Sequence, residues 1–179
     1  MEKMIRERKT IGIGVDYSPM SILAVKWVAK NFASSGDQVI LVHAAAGKLD
    51  DQSQKELWEE NGSPLVPLSE FKDSAVQAHY DVQPNPEIFD ILDDASMEYE
   101  MEVMAKIYWG NAREILCKSV KDLKLDHLVV GSRGHSMMKR LVLGSVSHHV
   151  MNHAQCPVTV VKAPKPPNPT KSSAQPSCI

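Results

Sequence analysis

Cysteine and net charge are both scarce in this chain, and each shortage removes a class of protein. The cysteines number three in 179 residues, Cys117, Cys156 and Cys178. An odd count without C-x-x-C spacing argues against a disulfide framework or a cysteine zinc site and suits a reducing cytosol. A formal net charge of −2 provides no overall field for gathering nucleic acid or an anionic membrane, so any polyanion site must be local. No hydrophobic run approaches membrane-spanning length, and the charged stretch from Met1 to Lys9 leads into only a short apolar segment, unlike a signal peptide. Glu2 stands where myristoylation needs glycine, and Cys178 is second from the end where prenylation needs a cysteine fourth from it. The expectation is a cytoplasmic protein whose partners include neither nucleic acid nor membrane. What remains, 43% hydrophobic and 23% charged residues, is ordinary for one globular domain. We place that domain at residues 1–163 and read the proline-rich 164–179 as a solvated tail.

Strand-like and helix-like segments alternate along the chain. Thr10 to Val15, Gln38 to His43, a stretch within Met101 to Trp109, Asp126 to Gly131 and Val158 to Lys162 are short, apolar and rich in β-branched residues, as strands covered on both faces are. Between them, helices are signalled by Ser18-Pro19, running to about Ala33, by Pro86, by Asn111 as a cap, and by the stretch from Gly144 to His153. This alternation predicts an α/β fold, a doubly wound five-stranded parallel sheet with helices on both faces. Ligands of such sheets sit beyond the carboxyl ends of the strands, so the turns after Val15, His43 and Gly131 are the places to search. Residues 45–85 exceed a usual connection and hold eight acidic and three basic residues; this acidic insertion is expected to be irregular or mobile.

The chemistry is concentrated in Gly131-Ser132-Arg133-Gly134 and, nine residues on, Gly144-Ser145-Val146-Ser147. Glycines let backbone amides approach a ligand closely, and the amides opening the last helix, with the hydroxyls of Ser145 and Ser147, can hold anionic oxygens. Arg133, Lys139 and Arg140 add positive charge, so the two stretches read as a phosphate cradle. The alternative is that Gly131 and Gly134 only shape a turn while Ser145 or Ser147 caps the helix. Other motifs are missing. There is no G-x-x-x-x-G-K-[ST], no G-x-S-x-G elbow, and Tyr17 occupies the third glycine position of a dinucleotide fingerprint begun by Gly12 and Gly14. His149 and His153 share a helix face without the glutamate of H-E-x-x-H and are read as surface or interface residues, so no protein metal site is expected.

With I-G-V-D-Y-S at Ile13 to Ser18, V-H-A at Val42 to Ala44, V-V-G-S-R-G-H at Val129 to His135, L-G-S-V-S at Leu143 to Ser147 and C-P-V-T-V-V at Cys156 to Val161, the chain resembles the nucleotide-binding universal stress proteins over most of its length. The resemblance implies a Rossmann-like fold of the adenine nucleotide alpha hydrolase type and binding of ATP or AMP. By matching position, it implies that Gly131, Arg133, Gly134, Gly144, Ser145, Val146 and Ser147 hold ribose and phosphates while Val15, Asp16 and Val42 frame the adenine. Asp16 itself has three possible roles: contact with the nucleotide, coordination of a Mg²⁺ carried by the phosphates, or capping of the next helix. The resemblance also implies a homodimer through the last strand, residues 158–162, whose apolar edge invites pairing. Three functions compete: a stress-response regulator or sensor that binds a nucleotide, a slow ATP hydrolase, and an interaction protein independent of nucleotide. The first is favoured because the sequence has a cradle but no evident machinery for attack on a γ-phosphate, which leaves at most a weak ATPase.

Overall fold

Helix starts follow the capping residues. The Ser18 hydroxyl accepts the Ser21 N–H at 3.4 Å, the Asn85 carboxamide that of Glu87 at 3.0 Å and the Asn111 carboxamide that of Arg113 at 2.9 Å. Proline follows directly after two of these caps, where its missing N–H costs nothing. In the computed structural model, which describes residues 7–46, 58–133 and 143–164, the elements are β1 (Thr10–Val15), α1 (Pro19–Asn31), β2 (Gln38–Ala45), β3 (Val66–Pro67), α2 (Leu68–Phe71), α3 (Ser74–His79), α4 (Pro86–Tyr99), β4 (Glu102–Trp109), α5 (Ala112–Asp122), β5 (His127–Gly131), α6 (Ser145–His153) and β6 (Val158–Val161). The first helix stops at Asn31 rather than Ala33, because Phe32 leaves helical geometry at φ −125°.

One sheet runs in the order β3-β4-β2-β1-β5-β6. Every pairing is parallel except that of β3 with β4. The chain builds outward from β1 through β2 to β4 and then returns to the other side of β1 for β5, so the winding reverses between β1 and β5. Alternation along the strands fills two layers. Ile11, Ile13, Val39 and Leu41 pack with Val25 and Val28 of α1 and Ile88 and Leu92 of α4. Ile40, Val42, Leu128 and Val130 pack with Leu116 and Val120 of α5 and Val150 of α6. Both faces are buried, which is why the strands read as nearly continuous apolar runs.

The expected α/β fold with its parallel core is present, and the insertion corrects the picture in two ways. It adds a sixth strand, the two-residue β3, antiparallel to β4 with Val66 opposite Ala105. Its described part, from residue 58 onward, is neither irregular nor detached. Trp58, Val66, Leu68, Phe71, Tyr80 and Val82 are buried in the α1/α4 layer, Phe71 completely. Ser63 ties it to β4 twice, donating its N–H to the Ile107 carbonyl at 2.8 Å and accepting the Ile107 N–H on its hydroxyl at 3.0 Å. The physical reason is the outer edge of β4, eight residues long, whose backbone groups need partners.

Candidate functional site

The two glycine stretches meet at Ser132. Its N–H donates to Val161 of β6 at 2.8 Å, and its carbonyl accepts the Gly144 N–H at 2.7 Å and the Ser147 hydroxyl at 3.1 Å. Gly144 is the N-cap of α6 at φ −63°, a conformation open to any residue, so its glycine is explained by proximity instead. A Cβ there would stand 3.1 Å from the Ser132 carbonyl oxygen and 3.3 Å from Arg133 Cα. A Cβ on Gly131 would come within 2.8 Å of the Met20 carbonyl oxygen, so that glycine serves the close approach of α1 to the end of β5.

This junction sets the amino end of α6 beside the end of β5. The amides of Ser145, Val146 and Ser147 have no carbonyl four residues back within the helix, and their dipoles add to a positive end. A glycine N-cap has no side chain to satisfy them, and among the described residues no side chain caps the helix. Ser145 is exposed and Val146 half-buried at this end. Ser147 departs from expectation: it is 2% exposed and its hydroxyl turns inward to the Ser132 and Gly144 carbonyls. What it presents to a ligand is therefore its main-chain N–H. Arg133 is half-buried after β5. Gly134, Lys139 and Arg140 lie outside the described residues.

At the end of β1, Val15 is part of the core and Asp16 is half-buried. Asp16 Oδ1 accepts the Ser18 N–H at 3.1 Å, so this carboxylate helps form the turn into α1 whose cap is the Ser18 hydroxyl. Val42 is fully buried in the α5/α6 layer. The residue on the same face nearer the edge is Ala44, half-buried.

Asp16 also lines a cavity of about 590 Å³ at the ends of β1 and β2, and sequence reasoning did not assign a site role to the residues that join it there, Tyr17, His43, Asp81, Gln83 and Asn85. Tyr17 takes the left-handed φ of 59° and stacks on His43, ring centroids 4.8 Å apart. His43 Nδ1 lies 3.0 Å from the Val15 carbonyl oxygen. A carbonyl can only accept, so Nδ1 carries the proton and Nε2 is an acceptor. Burial lowers the His43 pKa, opposed by that hydrogen bond and by Asp16. The Tyr17 hydroxyl has no hydrogen-bond partner among the described residues, and burial raises its pKa. One signal for this site was available, since Tyr17 falls in the turn after β1 and His43 lies near the carboxyl end of β2, both at places marked by the fold. Asp81 and Gln83 had none, because only the folded insertion brings them there.

On the α6 flank His149 and His153 stack at 4.1 Å. Cys117 and Cys156 are half-buried free thiols.

A sheet wound in this way, with a glycine-lined junction at its switch point, has known counterparts. Residues 7–162 match the model of the Universal stress protein family, and the chain belongs to that family. It is 31% identical over 170 residues to the universal stress protein PHOS32 of Arabidopsis thaliana, a match covering 88% of this chain and 66% of that protein. The chain thus spans just under two-thirds of that relative's length. Two solved structures share the fold: an Arabidopsis thaliana universal stress protein, At3g01520, with AMP bound (18% identity, TM-score 0.54, covering 91% of this chain and 97% of that one) and a universal stress protein in complex with cAMP (20%, 0.53, 86% and 95%). Among the described residues no helix is long and apolar enough to cross a membrane.

Proposed function

We propose that this chain binds an adenine nucleotide, ATP or AMP, along the carboxyl edge of its sheet and acts as a stress-response regulator or sensor. The observation that carries this reading is the 2.7 Å bond from the Gly144 N–H to the Ser132 carbonyl, which sets the three first-turn amides of α6, uncapped by any side chain among the described residues, beside the switch point between β1 and β5. The same approach makes a Cβ at Gly144 a tight fit, 3.1 Å from the Ser132 carbonyl oxygen. In this reading Gly131, Arg133, Gly134, Gly144, Ser145, Val146 and Ser147 hold ribose and phosphates, and Val15, Asp16 and Val42 border the adenine. Ser147 acts through its N–H, and Val42 backs the edge from within the core. A Mg²⁺ ion would ride on the phosphates. The AMP and cAMP found on proteins of the same fold support an adenine ligand. Regulation is preferred to catalysis because the sequence has no recognisable group for positioning an attacking water at a γ-phosphate.

Calorimetry with AMP and ATP tests the reading, and Ser145→Asp makes it specific. A carboxylate in the first turn of α6 favours the helix, by about 0.3–1 kcal/mol. The same charge repels a phosphate held there, by about 1–4 kcal/mol at contact distance. The expected outcome is an unchanged or raised melting temperature together with a loss of nucleotide affinity of about ten-fold or more. A folded Ser145→Asp protein that binds AMP as well as the parent does overturns the proposal.

A further inference from the structure

The last helix carries a pair of side chains that the nucleotide reading does not use. His149 and His153 lie one turn apart on α6, and their rings stack with centroids 4.1 Å apart and an interplanar angle of 14°. Residues four apart share a helix face, so the helix itself holds the two rings side by side. His153 is exposed and His149 half-buried, which leaves the pair open to an ion from solvent.

The hydrogen bonding of the pair fixes a protonation pattern. His153 Nδ1 lies 2.8 Å from the His149 carbonyl oxygen. A carbonyl only accepts, so Nδ1 carries the proton and Nε2 presents a lone pair. Histidines that ligate metals are held in the same way, by donating the other ring N–H to a carbonyl or carboxylate. Charge also favours a cation here. The last residue of α6 is His153, and the closing carbonyls form the negative end of the helix dipole. Bonds of about 2.0–2.1 Å place two nitrogens on one ion no more than about 4 Å apart. The rings already stand at that spacing, so a small tilt toward each other closes them on one ion. Val150 stands where H-E-x-x-H needs a glutamate, which excludes that protease arrangement, but a chelate needs only two imidazoles at i and i+4.

We propose that His149 and His153 form a surface chelate for one late first-row divalent cation, Ni²⁺, Cu²⁺ or Zn²⁺, with water in the remaining positions. Imidazole nitrogen suits these ions, whereas Mg²⁺ and Ca²⁺ take oxygen ligands. The site is independent of the nucleotide reading. It lies toward the opposite end of α6 from the first-turn amides and is separate from any Mg²⁺ carried on phosphates.

The test is calorimetry on the full chain, stripped of metal with EDTA and dialysed, using ZnCl₂ and NiCl₂, with MgCl₂ as the control. We expect one Zn²⁺ or Ni²⁺ per chain and no binding of Mg²⁺. His149→Gln and His153→Gln should each weaken binding about ten-fold or more. Glutamine is at least as good a helix former as histidine, so the fold should be kept. His148→Gln, on the same helix but outside the stack, should change the affinity by less than about two-fold. Saturating Zn²⁺ should raise the melting temperature of the parent and leave that of His153→Gln where it was. Failure of the parent to bind either ion at submillimolar concentration, or an affinity unchanged in both stack variants, overturns the chelate. A loss in His148→Gln as large as in the stack variants, or equal binding of Mg²⁺, overturns it as well.

Discussion

Tyr17 shows how much a single residue can be constrained. An aromatic side chain at φ 59° is strained on its own, and it is held there by the Asp16 turn before α1 and by stacking on His43. Its hydroxyl is buried without a hydrogen-bond partner among the described residues, a state that costs about 1–3 kcal/mol. Tyr17→Phe keeps the ring and removes that cost. Urea denaturation of the unliganded variant should therefore show stability equal to the parent's or higher by about 1 kcal/mol. A loss of more than about 1 kcal/mol would mean that the hydroxyl is satisfied in solution. Gly131 and Gly144 illustrate the converse: each is explained by a neighbour's backbone within about 3 Å of a Cβ it lacks, not by an unusual φ.

Among the elements, the insertion matters most. Phe71 sits at the end of α2, fully buried and edge-on to Phe89 of α4 at 6.0 Å, so the segment is part of the main core. Removing a buried phenyl ring costs about 3–5 kcal/mol. Phe71→Ala should lower the free energy of unfolding by that amount in one cooperative denaturant transition. A loss below about 1 kcal/mol would mean that the insertion is dispensable to the core. Trp58 stacks on Trp109 of β4 at 5.7 Å with an interplanar angle of 10°, which makes tryptophan fluorescence a direct report of whether the insertion is docked.

The whole molecule is asymmetric at its two sheet edges. β3 ends one side with two residues, one of them Pro67, which has no N–H to offer a further strand. The other side ends in β6, four residues without proline, with Val158, Thr159 and Val160 partly exposed. An apolar edge that no described strand covers, on one side only, favours a symmetric pairing of two copies, so we predict a homodimer through residues 158–162. Sedimentation equilibrium at micromolar protein should return twice the chain mass. Val160→Pro, by removing an edge donor, should shift the mass toward the monomer. A monomeric parent protein under those conditions rules the pairing out.

Local chemistry alone was enough to read the helix starts at Ser18-Pro19, Pro86 and Asn111, the five parallel strands, and the two glycine stretches, because capping, β-branching and close backbone approach are written in adjacent residues. The insertion was not legible in this way. Trp58, Val66, Phe71 and Tyr80 follow no single period among their acidic neighbours, and their burial depends on the open edge of β4 and the flank of α4, far away in the chain. The inward turn of the Ser147 hydroxyl, the depth of Val42 and the meeting of Asp81 with Tyr17 and His43 were likewise set by tertiary structure. Which atoms face a cavity depends on packing between distant segments, and hydrophobic burial is non-directional, so no local pattern records it.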